Sequence, residues 1–286
     1  MNSNSIDVAG FVAYLKKSEK SASTIERYSA NIRLYGEWLK ENKYELPFAC
    51  DEEAKIAALE YKKSLRTGNS KPSSVNVKLA AINSYYEFAG IRERIKYLKV
   101  QRKIFADENR ELSLAEYRQL VKTARSCGNQ RLALIMETMA ATGMRVSELV
   151  NITVESLDND ELIIDNKNKI RFIFLPEKLR HKLHKYAKSR SLDSGRIFIT
   201  SKGEPVSRKQ IWTEMKAAAR YAGIEESKVF PHNMRHIFAR EYYGKCRDIV
   251  RLADVLGHSS LETTRIYLMT SGNECKQQIN SLGIVC

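Results

Sequence analysis

Cysteine is sparse in this chain of 286 residues: five, at positions 50, 127, 246, 275 and 286, an odd total with no close pair. That excludes a disulfide framework and a zinc ribbon, and leaves reduced thiols that pack. No window holds the 18 or more uninterrupted apolar residues of a membrane span. The opening "MNSNSIDVAG" has no basic start ahead of an apolar run, so it does not read as a signal peptide. A cytoplasmic location is the expectation. There is no internal repeat and no low-complexity tract. Acid is in short supply on both halves: residues 1–104 carry 19 Lys and Arg against 12 Asp and Glu, and residues 105–286 carry 29 against 22. The net charge of +14 therefore splits evenly, as suits a protein that grips a polyanion from two sides. A solubilising surface would look the same by charge alone. An anionic membrane is disfavoured, because no helix sets a basic face opposite bulky apolar anchors.

With 43% hydrophobic and 29% charged residues the chain reads as globular, and its length favours two domains. Residues 6 to about 100 read as four helices. The first places Val8, Phe11, Val12 and Leu15 on one face. The second starts at Ser23 or Thr24 as N-cap and repeats Ile25, Tyr28, Ile32, Tyr35 and Leu39. The third, "DEEAKIAALEYKKSLR", opens on acids and closes on bases, as its dipole favours. The fourth, "KPSSVNVKLAAINSYYEFAG", ends on Gly90. Charge then displaces apolar period between Lys96 and Arg110, which marks a linker. Ser113 and Glu116 form a capping box for the next helix, and the apolar "QRLALIMETMAATGMRVSELV" breaks at Gly143. "ELIIDNKNKIRFIFLP" reads as a β-hairpin with "GRIFIT" as its companion strand, and helices fill the rest. The fold class is mainly α, with one small antiparallel sheet.

Three blocks gather reactive side chains. In "ATGMRVSEL", Arg145 follows a helix break, and its bland reading is a surface pair with Glu148 one turn on. In "FPHNMRHIFAR", His232 and Arg235 share a helix face. His232 and His236 have zinc spacing, but Asn233 stands where the metalloprotease pattern needs Glu. In "LGHSSLETTRIY", His258 precedes Tyr267 by nine residues, and a helix can start at Ser259, Ser260 or Glu262. Tyrosine as a packing residue is the ordinary reading of such a position. Together the set has one chemistry in common. Two arginines can clamp a phosphodiester, a histidine can take a phenolic proton, and a tyrosine can attack phosphorus, with no metal needed.

These blocks, in this order and with the hairpin between the first two, resemble the signature of the tyrosine recombinases (phage integrase family), nearest in layout to the Xer type. The likeness runs through nearly the whole chain: "SASTIERYSANIRLYGEWL" and "SKPSSVNVKLAAINSYYEF" are similar to the family's SAM-like core-binding domain. The resemblance implies a DNA-binding domain over 1–104 and a catalytic domain over 105–286. It implies a site-specific recombinase that cuts DNA through a 3′-phosphotyrosyl link to Tyr267, freeing a 5′-hydroxyl, without metal, ATP or other cofactor. Arg145 and Arg235 would clamp the scissile phosphate, His232 assist the phenol, His258 hydrogen-bond the phosphate, and Glu148 buttress Arg145. The helices around "SASTIERY" and "SKPSSVNVK" would meet the DNA groove. The partners implied are duplex DNA with an inverted-repeat site and a homotetramer, or a heterotetramer with a paralogue, with accessory DNA-bending proteins and no membrane. Leu282, Ile284 and Val285 in the tail would pack into a neighbouring protomer. Type IB topoisomerase activity, or a catalytically silent DNA-binding regulator of the same fold, stay open as alternatives.

The family hairpin usually reads Gly-Lys-Gly-x-Lys-x-Arg, whereas residues 165–171 read Asp-Asn-Lys-Asn-Lys-Ile-Arg. Lys167 is preferred over Lys169 as general acid for the leaving oxygen. Cleavage of a substrate with sulfur at the 5′-bridging position needs no acid, so it should rescue Lys167→Ala and leave Lys169→Ala unrescued. The reverse pattern assigns the role to Lys169.

Overall fold

The computed structural model describes residues 5–99, 110–165, 170–258, 260–268 and 280–281. The chain divides into two compact units, Met1–Arg102 and Lys103–Cys286. Among the described residues no helix is long and apolar enough to cross a membrane.

The first unit is built from α1 (Val8–Lys17), α2 (Ala22–Glu41), α3 (Asp51–Thr67) and α4 (Pro72–Phe88). The N-cap of α2 is Ser21, not Ser23 or Thr24: its extended backbone lets its hydroxyl accept from Thr24 N at 3.1 Å. Phe11, Ile32, Tyr35, Leu79 and Tyr86 are fully buried in a core rich in aromatic rings. Burying phenols requires partners for them. Tyr86 donates to the carbonyl of Ala54 at 2.6 Å, which spends its one proton, so Tyr35 must donate to Tyr86 across their 2.8 Å contact. Burial drives both phenols well above their ordinary pKa.

Beyond α4 the chain runs extended, yet it is tied down. Asn83 accepts from Ile95 N at 2.8 Å and donates to Ile95 O at 3.0 Å. Two helical turns earlier, Asn76 makes the same pair of bonds to Leu98 at 2.8 and 3.0 Å. Each carboxamide thus copies a neighbouring strand, giving an extended segment the backbone partners it would otherwise lack.

The second unit starts with α5 (Leu114–Ser126), whose capping box forms as expected: Glu116 N donates to the Ser113 hydroxyl and Ser113 N to the Glu116 carboxylate. Then come α6 (Gln130–Thr142), a 3₁₀ turn (Val146–Asn151), the hairpin β1 (Glu161–Asp165) and β2 (Ile170–Phe174), α7 (Glu177–Ser189), α8 (Arg208–Tyr221), α9 (Pro231–Cys246), α10 (Ile249–Leu256) and α11 (Leu261–Arg265). The helix α6 is buried on several faces and packs along α9. The hairpin pairs Glu161 with Phe174 through to Asp165 with Ile170, which puts Leu162, Ile164, Arg171 and Ile173 on the inner face.

The run 195–200 does not join this sheet as a third strand. It makes only single bridges, Thr153 to Arg196 and Ile199 to Pro205. Ile197 and Phe198 are both buried, so the run sits inside the core without the alternation of a sheet strand. Lys167 and Lys169 lie outside the described residues, as does the apolar tail cluster.

Asn83→Ala strips two backbone groups of partners at the 3% exposed Ile95, and is expected to cost about 1–3 kcal/mol. Thermal unfolding of residues 1–99 in the full chain would register this as a melting temperature several degrees lower. An unchanged value would mean water replaces the carboxamide.

Candidate active site

Four of the expected residues converge in the second unit. Arg235, on α9, is 2% exposed. A buried guanidinium needs acceptors for its donors. It finds two at helix C-termini, donating from Nη1 to Gly143 O at the end of α6 and from Nη2 to Leu256 O at 2.7 Å, the last residue of α10. Carbonyls at such ends carry the negative pole of the helix dipole. Both helices stop on a left-handed glycine, Gly143 at φ 64° and Gly257 at φ 63°. A side chain at either is strained by the left-handed backbone and crowded as well: a Cβ on Gly143 would come within 2.5 Å of Phe238, and one on Gly257 within 2.6 Å of Arg171.

The same guanidinium reaches two further candidate residues. Its Nε donates to Tyr267 Oη at 3.3 Å, and Tyr267 Oη lies 3.4 Å from His232 Nε2. With Arg235 donating to the phenol oxygen, the phenolic proton is free to point at His232. Tyr267 falls in the 3₁₀ turn Ile266–Leu268 that continues α11, whose N-cap is Ser260. The ring is 5% exposed and packs against Ala239, Leu252 and Leu256, so it serves as packing residue and site residue together. His258 follows Gly257, with Nε2 2.7 Å from Arg235 Nη2 and Nδ1 2.9 Å from Thr264 Oγ1.

Three histidine rings surround Tyr267. His232 and His258 centroids lie 5.4 and 5.5 Å from its ring, and His236 lies closer, edge-on at 4.4 Å. Burial, followed by Arg235, Arg145 and Arg208, lowers the pKa of His232, tempered by its exposed edge. Burial and the neighbouring charges push His236 and His258 down to about 4. At neutral pH all three are uncharged, and His232 can accept a proton. His232 and His236 find no third ligand: among the described residues no three His, Cys, Asp or Glu side chains gather as a metal would need.

Arg145 stands apart from this contact set but close to it, 44% exposed where Arg235 is buried. Its pair with Glu148 does form, with Nη1 2.9 Å and backbone N 2.7 Å from the carboxylate. It is no surface pair, since Glu148 is fully buried and also binds Arg171 Nη1 at 2.8 Å. Burial alone would raise the pKa of Glu148; the Arg145 N–H and the two guanidinium groups outweigh it and hold the carboxyl below its ordinary value.

Sequence reasoning missed Arg171 and Thr264 as site residues and weighed His236 only as a zinc ligand. Arg171 also donates from Nη2 to Val255 O at 3.2 Å, so β2 is joined to the end of α10 as well as to Arg145. Strand alternation carried its signal: in Ile-Arg-Phe-Ile-Phe, Arg171 shares a face with Ile173. Beside His232 opens a cleft of about 860 Å³, lined by Trp212, Phe230 and Pro231 together with Arg110, Arg208 and Lys209. Among the described residues none of these three cations has a carboxylate within 4 Å.

Residues 110–274 match the phage integrase family, and residues 8–93 match the phage integrase N-terminal SAM-like domain. The chain is 30% identical over 267 residues to tyrosine recombinase XerA of Thermococcus kodakarensis, covering 90% of this chain and 88% of that one. It is 29% identical over 275 residues to tyrosine recombinase XerD of Vibrio cholerae, covering 90% and 89%. In fold it is similar to a XerH site-specific recombinase solved with a palindromic difH substrate after cleavage (TM-score 0.71, 17% identity, 94% of this chain and 83% of that chain).

Glu148→Gln leaves Arg145 and Arg171 facing each other without their counter-charge, at an expected cost of about 3–5 kcal/mol. Because the folded-state pKa is lowered, the carboxylate's contribution is present above the ordinary glutamate value and lost as pH falls through the folded one. The difference in melting temperature between wild type and variant should hold from pH 8 to 6 and close below about pH 4. A gap that persists in acid would assign the loss to packing instead.

Proposed function

The chain belongs to the phage integrase family of site-specific tyrosine recombinases, and on that premise we propose that it cuts and rejoins duplex DNA with Tyr267 as nucleophile. The observation that carries the assignment is the line of contacts Arg235–Tyr267–His232, at 3.3 and 3.4 Å.

In the reaction so read, Tyr267 Oη attacks phosphorus and its proton passes to His232 Nε2. A 3′-phosphotyrosyl ester forms as the bond to the 5′ oxygen breaks, and Lys167 protonates the leaving oxygen. Arg145, exposed, meets the phosphate first; Arg235 stabilises the charge that develops on the non-bridging oxygens. The ester keeps the bond energy, so attack by the 5′-hydroxyl of a partner strand rejoins DNA without ATP. Guanidinium groups supply the positive charge a metal would otherwise bring. The cations that line the cleft beside His232, Arg110, Arg208 and Lys209, support a path for the strand there. We assign residues 1–104 to core binding and 105–286 to catalysis, with a homotetramer, helped by DNA-bending proteins at some sites, as the active assembly.

Covalent capture tests the assignment. The protein is incubated in EDTA with nicked genomic fragments and denatured, and the protein-linked DNA is sequenced, with Tyr267→Phe as control. Adducts at one inverted-repeat sequence, absent from the control, are expected. Scattered adducts would indicate a topoisomerase, and binding without adducts a silent regulator. Sedimentation of Tyr267→Phe on the recovered duplex should give four protomers on two duplexes; a dimer on one would overturn the tetramer.

A further inference from the structure

The bond between Arg235 and His258 fixes a proton. A guanidinium has only donors, so at 2.7 Å from Arg235 Nη2 the Nε2 of His258 must present its lone pair. The ring is then neutral with its hydrogen on Nδ1, and Nδ1–H donates to Thr264 Oγ1 at 2.9 Å. Thr264 is fully buried on the short helix α11, while the His258 ring is half-buried and within reach of solvent.

That tautomer is the wrong one for a phosphate. Once a non-bridging oxygen takes the Nη2 hydrogen of Arg235, a bare Nε2 would set its lone pair against an oxygen anion. The conflict is relieved when Nε2 carries the hydrogen. One route is the imidazolium, which the guanidinium groups of Arg235, Arg145 and Arg171 oppose. The other leaves the ring neutral: solvent takes the proton from Nδ1 and returns one to Nε2, with no net uptake. Nδ1 then needs a donor, and a hydroxyl can turn from acceptor to donor without moving its oxygen.

We propose that Thr264 is a positioning residue for the cleavage step, whose hydroxyl holds His258 as the Nδ1–H tautomer in the free enzyme and as the Nε2–H tautomer when phosphate is bound. The proposal rests on the recombinase reading of the site and adds to it the means by which His258 changes from acceptor to donor. It also explains how Arg235, with four of its five N–H donors already engaged, takes a new ligand at Nη2: the bond to His258 is exchanged for one to phosphate, and His258 turns from the partner of Arg235 into a second donor to the same anion.

Ring-nitrogen NMR of ¹⁵N-histidine-labelled full-length protein, titrated with inorganic phosphate to saturation, reads the tautomer directly; His258→Gln supplies the assignment. A bare Nε2 in the free protein and a protonated Nε2, with bare Nδ1, in the phosphate-saturated protein are expected. A proton on Nε2 before phosphate is added, or no change on saturation, would overturn the proposal. Single-turnover cleavage of the duplex recovered by covalent capture supplies the second reading. Thr264→Val should stay folded and retain DNA binding while cleavage slows about tenfold or more, and Thr264→Ser, which keeps the hydroxyl, should remain within about twofold of wild type. Valine and serine variants that cleave alike refute the role of the hydroxyl. Should the wild type form no adduct at all, it is the recombinase reading that fails, and the NMR result still decides the tautomer.

Discussion

The site is organised around one buried guanidinium. Among the described residues Arg235 has no carboxylate of its own; it is held by the carbonyl ends of two helices, and this choice of acceptor has structural consequences. The end of α6 leads two residues on to Arg145, and the end of α10 leads two residues on to His258. The helix α9 carries Arg235 itself and His232 one turn earlier. A single side chain therefore sets the spacing of the segments that bear the other groups, and then uses its Nε for Tyr267. Its charge and its bonds cannot be separated: a lysine would keep the first and lose the fork that spans both helix ends.

Around this centre the charges are arranged so that positive potential survives. Glu148, the carboxylate that the cluster binds, is shared between Arg145 and Arg171, so neither guanidinium is fully neutralised. The three histidines near Tyr267 are held neutral by burial and by the surrounding cations. Protonating them would add charge to a region that already repels it.

Much of this was legible in the chain. The helices of the first unit followed from apolar spacing, and the Ser113–Glu116 capping box from its residue types. Arg145, His232, Arg235, His258 and Tyr267 stood out because their chemistry is shared and they lie next to helix punctuation. What stayed hidden depended on contacts between distant segments. Arg171 looked like a landmark in a hairpin until the pleat turned it inward onto Glu148. Thr264 carries no local signal: nothing around it in the sequence says that its partner is the imidazole six residues back. The expected third strand failed for a related reason: a short apolar run is consistent with a sheet edge or with the core, and burial of both Ile197 and Phe198 decided for the core.

The two carboxamide clasps on α4 bear on where the first unit ends. Sequence similarity to the SAM-like domain stops at residue 93, yet Asn83 and Asn76 bind the main chain at Ile95 and Leu98, and Ile95 is itself buried in the core. A fragment cut at the similarity boundary would expose both asparagines and open the core beneath Ile95. One that runs through Leu98 would keep the helices closed. The clasps also fix a ruler: they are seven residues apart on the helix and three apart on the extended chain, so inserting or deleting one residue between Ile95 and Leu98 would let only one of them engage.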